Sequence, residues 1–202
     1  METTQPETEI QPEPVAEQPA NWKRFVLDIL ETLVLAVVLY FGINAVSARV
    51  RVDGFSMRPT LQDGEYILVN KLAYKTGEPH RGDIVVFIFP VDPSEDLIKR
   101  VIGLPGESIS VHNGVVKVNG VPLTEPYIAS PPAYEDDRIV PDGQLYVLGD
   151  NRNDSRDSHQ WGLLPIENVI GRAVLIYWPP KEWQVINHDL QNVVAQKSLS
   201  LK

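Results

Sequence analysis

The chain has 202 residues, no cysteine and a formal net charge of −9, a length that suits one packed domain with accessory segments and is too short for two large domains. The missing cysteines exclude disulfides, thiolate metal sites and a cysteine nucleophile. Residues 1–20 carry five Glu and no Lys or Arg, which accounts for −5 and leaves −4 on the other 182 residues, with no basic face to receive nucleic acid. Four scattered histidines (His80, His112, His159, His188) lack the close spacing of a metal-ligand pair, so neither a metal nor a cofactor is expected.

Residues 1–20 are rich in Glu, Pro, Gln and Thr, hold almost nothing apolar, and so cannot offset the entropy of ordering; a disordered acidic tail is expected there. From Phe25 to Val46 the character reverses, with 17 of 22 residues apolar and Leu33 to Phe41 unbroken. At about 1.5 Å per residue that helix spans roughly 33 Å, enough to cross a bilayer. Asp28 and Glu31 lie near its N-terminal end, where headgroups and the positive helix terminus make carboxylates least costly. A cleavable signal peptide is the rival reading, with Ala45-Val46-Ser47 as its small-x-small site. Its apolar run would be only about 7–15 residues behind a short charged start, whereas here a long leader precedes a longer stretch. A permanent anchor over 21–47 is therefore expected. Its orientation is not set by charge, since Lys23 and Arg24 on one side face Arg49, Arg51 and Arg58 on the other.

After Val50 short β-branched and aromatic runs alternate with Gly, Pro, Asn and Asp, the pattern of strands and turns. Tyr66–Asn70, Asp83–Phe89, Leu97–Ile102, Leu145–Leu148 and Val169–Trp178 are the strand candidates. Asn113-Gly114 and Asn119-Gly120 each sit between apolar runs, the strongest short-range hairpin signal, and predict a small protruding β-meander. Residues 122–141 carry five prolines and no clear period, which predicts an extended connection. The fold class expected is mostly β: antiparallel sheets over 48–180, with the meander and extended insertion within about 104–145, one N-terminal transmembrane helix before them, and a tail at 181–202 as a short helix or loose end.

Three segments carry candidate chemistry. Gly54-Phe55-Ser56-Met57-Arg58-Pro59-Thr60-Leu61 places a serine in a turn just past the anchor; alone, such a serine reads as a turn or cap residue. Lys99 sits inside the apolar run Leu97–Ile102, where alternation puts Leu97, Lys99 and Val101 on one face. A lysine so placed either snorkels to water or is desolvated, loses proton affinity and becomes a usable base near neutral pH. A serine needs such a base, and a neutral lysine can replace histidine in that role. The third segment, Gly149 to Gly162, is dense in polar groups of both signs and reads on its own as a solvated loop, although such loops carry most functional residues on rigid scaffolds.

Four blocks in order, Ser56-Met57-x-Pro59-Thr60-Leu61, Arg81-Gly82-Asp83-Ile84-Val85-Val86-Phe87, Lys99-Arg100-Val101-Ile102-Gly103-Leu104-Pro105-Gly106-Glu107 and Gly149-Asp150-Asn151-Arg152, resemble the type I signal peptidases, over roughly residues 20–180. The resemblance implies a membrane-bound serine endopeptidase that removes signal peptides from exported pre-proteins after small residues, with Ser56 as nucleophile and Lys99 as general base. It also implies that Ser155 orients the lysine amine, that Asp157 supports that region, that Asp150 and Arg100 form a structural ion pair, and that the Ser56 N–H contributes to an oxyanion hole. The extra serine donor that some relatives carry two residues before the nucleophile is here Gly54, and the arginine common near Asp157 is here His159. Met57, Leu61 and Ile98, the apolar neighbours of the pair, are where pocket walls are expected. The implied partners are signal-peptide-bearing pre-proteins and the lipid bilayer, with no nucleic acid. The implied location is a cell or thylakoid membrane, N-terminus cytoplasmic and catalytic domain beyond the membrane. The alternatives are a non-catalytic bitopic membrane protein with a β-rich binding domain, and a self-cleaving serine-lysine repressor, which would need a DNA-binding N-terminal domain in place of the acidic tail and apolar helix.

Overall fold

The computed structural model describes residues 22–75 and 77–188; the acidic tail expected at 1–20 and most of the tail expected after 180 lie outside them. The apolar run forms one helix, α1 (Trp22–Val46), with no buried residue and a mean hydropathy of 2.2 over its most apolar window, long and apolar enough to cross a membrane. Thr32 Oγ1 donates to the Asp28 carbonyl at 2.7 Å, so the polar side chain within the run is satisfied by the helix itself. The helix stops at Val46 and the strand β1 (Ser47–Arg51) begins at the next residue.

Eleven further strands follow among the described residues: β2 (Tyr66–Asn70), β3 (Ile84–Ile88), β4 (Asp96–Gly103), β5 (Ser108–His112), β6 (Val115–Val118), β7 (Val121–Pro122), β8 (Asp136–Ile139), β9 (Gln144–Leu148), β10 (Leu164–Pro165), β11 (Val169–Trp178) and β12 (Gln184–Val185). They make two sheets. The larger runs β1-β2-β11-β3-β4-β9-β10, with β12 added on β11; the smaller runs β7-β6-β5-β8. Every paired ladder is antiparallel, as short turns between consecutive strands allow. Asn113, Gly114, Asn119 and Gly120 all have positive φ, from 51° to 79°, the conformation that a two-residue hairpin turn of matching twist requires, and these turns build the meander β5–β6–β7.

The period of two along β4 divides the core. Ile98, on β4, packs with Ile84 and Val86 of β3 and with Met57, Leu61, Ile67 and Ala173. Leu97 and Val101 pack on the other face with Val85, Phe87, Val147 and Leu164. A third cluster joins the sheets: Ile102, Tyr146 and Leu148 of the larger meet Ile109, Val111, Val116 and Val118 of the smaller. Each such side chain contributes about 1.5–3 kcal/mol when fully buried, so the meander is packed along one face while it protrudes on the other.

Two segments differ from expectation. The connection at 122–141 ends in a strand, because Asp136–Ile139 pairs with β5 from Val111↔Asp136 to Ser108↔Ile139; as an edge strand it carries charges that a central strand could not. The chain after Pro180 also stays on the domain. Leu175 pairs with Val185, Ile186 is 5% exposed within the core, and His188 Nδ1 accepts from the Ile84 N–H at 3.1 Å.

One buried ion pair ties these parts together. Arg100 of β4 gives Nε to Asp150 Oδ1 at 2.8 Å and Nη2 to Oδ2 at 2.7 Å, both side chains being fully buried. Its Nη1 donates to the Gly82 carbonyl at 2.9 Å, its guanidinium lies 4.1 Å from the Tyr127 ring centre, and Thr60 Oγ1 donates to Asp150 Oδ2. Three of the four sequence blocks thus meet on one carboxylate. Asp150→Ala leaves a buried guanidinium without its counter-charge, so urea denaturation of the full chain in detergent, followed by tryptophan fluorescence, should show a loss of about 3–5 kcal/mol. A loss within 1 kcal/mol would mean the pair is dispensable to the fold.

Candidate active site

The turn after β1 is shaped from below. Gly54, at φ 96°, gives its N–H to Asp63 Oδ1 at 2.8 Å, Arg58 N–H bonds the Phe55 carbonyl at 3.1 Å, and Leu61 N–H bonds the Met57 carbonyl at 3.0 Å. Met57 and Leu61, buried in the core, pin the underside of this turn, leaving Ser56 on top and partly exposed.

Lys99 reaches the serine from β4. Its Nζ lies 2.8 Å from Ser56 Oγ and 2.8 Å from the Ile98 carbonyl, and the residue is only 3% exposed. Burial drives its pKa from the ordinary 10.5 down to about 8, with the Asp157 charge opposing that shift and the Arg156 charge adding to it. A useful fraction of neutral amine therefore exists near neutral pH, next to a hydroxyl that needs a proton acceptor.

The loop after β9 closes the site. Gly149 lies so close that a Cβ there would stand 2.5 Å from the Ser56 carbonyl oxygen and 2.2 Å from Ser155 Oγ, closer than any real side chain sits. Asp157 caps the short helix α2 (Ser158–Trp161). Its Oδ2 accepts from the Gly149 N–H at 2.9 Å, while Oδ1 faces His159 Nδ1 at 2.6 Å. The His159 ring stacks on Tyr134 with centres 3.8 Å apart, so histidine occupies the place of the arginine expected beside Asp157. Ser155 Oγ is buried without a hydrogen-bond partner among the described residues, so the bond to the lysine amine that the resemblance implied is not formed here.

A cavity of about 220 Å³ opens beside the pair, between Val50–Gly54 and Asp96–Lys99, with Ser56 and Met57 at its floor. Of the expected wall residues, Met57 and Ile98 line it; Leu61 does not, being fully buried in the core beneath. Val50, Val52 and Leu97 were missed as lining, although their place beside Ser56 and Lys99 in the sequence was a signal for them. Along this cavity β4 has an open edge, since its pairing with β9 runs only from Arg100 to Gly103 while Asp96–Lys99 pairs with β3 alone. The arrangement offers a hydroxyl, a low-affinity amine and unpaired backbone beside a small hollow of mixed lining, with Val50, Val52, Met57, Leu97 and Ile98 as its apolar part and Arg51, Asp53 and Asp96 as its charged part, which suits acyl transfer on an extended peptide.

Comparison with known proteins agrees. A family model described as signal peptidase, peptidase S26, matches residues 23–178. The chain is 43% identical over 180 residues to a probable signal peptidase I-2 of Synechocystis sp., covering 85% of this chain and 82% of that one. It is 45% identical over 176 residues to a signal peptidase I of Leptolyngbya laminosa, covering 83% and 86%. With the chloroplastic thylakoidal processing peptidase 1 of Arabidopsis thaliana it shares 40% identity over 146 residues, 66% of this chain and 43% of the plant protein. A match over most of the chain, to the family model and to these relatives alike, establishes that it belongs to the signal peptidase family, peptidase S26, and is a hydrolase of peptide bonds.

Proposed function

We propose that the protein is a membrane-bound signal peptidase I that cuts pre-proteins after small residues, with Ser56 as nucleophile and Lys99 as general base. The contact of 2.8 Å between the buried Lys99 amine and Ser56 Oγ carries this reading. The neutral amine takes the hydroxyl proton as Oγ adds to the scissile carbonyl, the oxyanion turns toward the Ser56 N–H, and the ammonium then protonates the departing amine. Water repeats the sequence on the acyl-enzyme, with the same lysine as base.

Substrate recognition follows from the cavity. An extended segment can add to the open edge of β4, and every second side chain then points into a hollow walled by Val52, Met57, Leu97 and Ile98. About 220 Å³ shared by two alternating positions admits small side chains and refuses large ones. We place the acidic leader at 1–20, the anchor at 21–47 and the catalytic domain from residue 48, in a cell or thylakoid membrane with the N-terminus cytoplasmic. The length and hydropathy of α1 support the anchor, and a substrate whose own apolar segment lies in the bilayer gives it a purpose.

Three measurements test this reading. Protease added to intact spheroplasts should digest or release the domain beyond residue 48 and spare the N-terminal tail; the reverse pattern refutes the orientation. Lys99→Arg should abolish cleavage in a folded protein, because a guanidinium keeps its proton at any working pH. Ser155→Ala should cost far less, because Ser155 Oγ makes no hydrogen bond among the described residues that the substitution would remove; near-normal turnover by folded Lys99→Arg, confirmed by circular dichroism, would rule out the dyad. Finally, kcat/KM on a pre-protein should rise about tenfold per pH unit and level off above a midpoint near the lysine's value of about 8. A flat profile between pH 6 and 9 would contradict a titrating base.

A further inference from the structure

We infer that Asn151 is a positioning residue for the oxyanion hole, aiming the Ser56 N–H into the cleft by gripping the backbone on its opposite side. The inference rests on Ser56 being the nucleophile. Asn151 makes two bonds to the serine turn: its backbone N–H donates to the Ser56 carbonyl at 2.9 Å, and its side-chain Nδ2 donates to the Phe55 carbonyl at 3.2 Å. The Phe55 carbonyl and the Ser56 N–H belong to one peptide unit, and that unit is trans, since the cis bonds among the described residues are Arg58–Pro59 and Trp178–Pro179. In a trans peptide the C=O and N–H point in opposite directions. Holding the oxygen toward Asn151 therefore turns the N–H away from it, and among the described residues that N–H has no acceptor.

The grip comes from a fixed frame. The other bond to the Phe55 oxygen, from the Arg58 N–H at 3.1 Å, arises within the same turn and moves with it. Asn151 stands instead next to Asp150, which is bonded to Arg100 of β4, and two residues after Gly149, which has no room for a Cβ against the Ser56 carbonyl. The strand that supplies Lys99 thus also sets the tilt of the peptide that supplies the oxyanion donor. Gly54 has no side chain to offer a donor beside the serine, so the direction of that backbone N–H matters correspondingly. A donor acts on the charge that develops in the transition state, so loss of its aim lowers kcat and leaves ground-state binding intact.

The test uses the full chain in detergent with two probes of one sequence, a peptide aldehyde ending in alanine and the matching peptide alcohol. With the aldehyde, Ser56 Oγ bonds to the carbonyl carbon, the π pair moves to oxygen, and the serine proton passes to the Lys99 amine, so an oxyanion is formed; the alcohol has no carbonyl and binds only as ground state. Asn151→Ala and the isosteric Asn151→Asp, which lacks the donor, should each lower kcat by about tenfold to a hundredfold, less than removal of a whole donor. KM should stay within about twofold, aldehyde affinity should fall by the factor seen in kcat, and alcohol affinity should not move. Melting temperatures equal to wild type would show that the turn still folds. Equal losses for aldehyde and alcohol, or an unchanged kcat in either variant, overturn the inference. Undiminished cleavage by Ser56→Ala overturns the serine reading and the inference with it, whereas an inactive Ser56→Ala combined with equal losses overturns the inference alone.

Discussion

The fully buried pair of Arg100 and Asp150 is the constraint on which the rest of the site depends. Two charges without water would be costly, and here the guanidinium gives two of its five N–H groups to Asp150 and one to the Gly82 carbonyl, with Tyr127 beneath the plane. Those partners come from the turn before β3, the insertion and the loop after β9. Because Thr60 of the serine turn also bonds Asp150, satisfying one arginine brings together the segments that hold the chemistry. The neighbouring Arg152, bonded bidentately to Glu125, anchors the same loop to the insertion from the other side.

Lys99 occupies the opposite electrostatic regime from its neighbour in sequence. Arg100 is charged and compensated by Asp150; Lys99 is buried with a hydroxyl and a carbonyl for company and, among the described residues, no carboxylate in contact. Asp157 is near enough to oppose the loss of its proton affinity, yet both its oxygens are engaged by Gly149, His159 and the end of α2. Those bonds spend the carboxylate on backbone and ring donors, leaving the amine poised between its charged and neutral forms.

Much of this was legible from residues alone, and the failures have physical reasons. Tyr66–Asn70 and Val169–Trp178 were expected as strands at their observed bounds, because β-branched runs between turn residues leave little else to form, and the two Asn-Gly pairs fixed the meander. Asp136–Ile139 was not, since Asp-Asp-Arg-Ile has the composition of a loop and becomes a strand only by adding to the edge of β5. Residues 181–202 were read as a tail, a short helix or loose end; a short 3-10 helix does form at Pro180–Glu182, but Ile186 then finds an apolar seat against β11, a tertiary contact that no local pattern announces. Leu61 was expected in the pocket wall by proximity to Ser56; its four-residue spacing from Met57 within a turn instead sends it into the core. The contact between Ser56 and Lys99, 43 residues apart, and the grip of Asn151 on the turn are long-range facts that only the fold supplies.

Adjacent residues on a strand face opposite ways, and β4 shows it: Ile98 packs on one side of the sheet, Leu97 and Val101 on the other. Lys99 and Arg100 are therefore directed to opposite surfaces by nothing more than the alignment Val85↔Lys99 and Ile84↔Arg100 with β3. A slip of one residue would set Arg100 against the serine and Val101 against Asp150 in one direction, or Ile98 against the serine and the Lys99 ammonium against Asp150 in the other. The total charge would be unaltered and the product would be inert. Ammonium cannot bridge both oxygens of Asp150 and the Gly82 carbonyl as the planar fork does, and Leu97 and Ile98 would trade cores at the same time. The arginine beside the catalytic lysine thus works as a proofreader of strand alignment, making the misassembled enzyme also the less stable one.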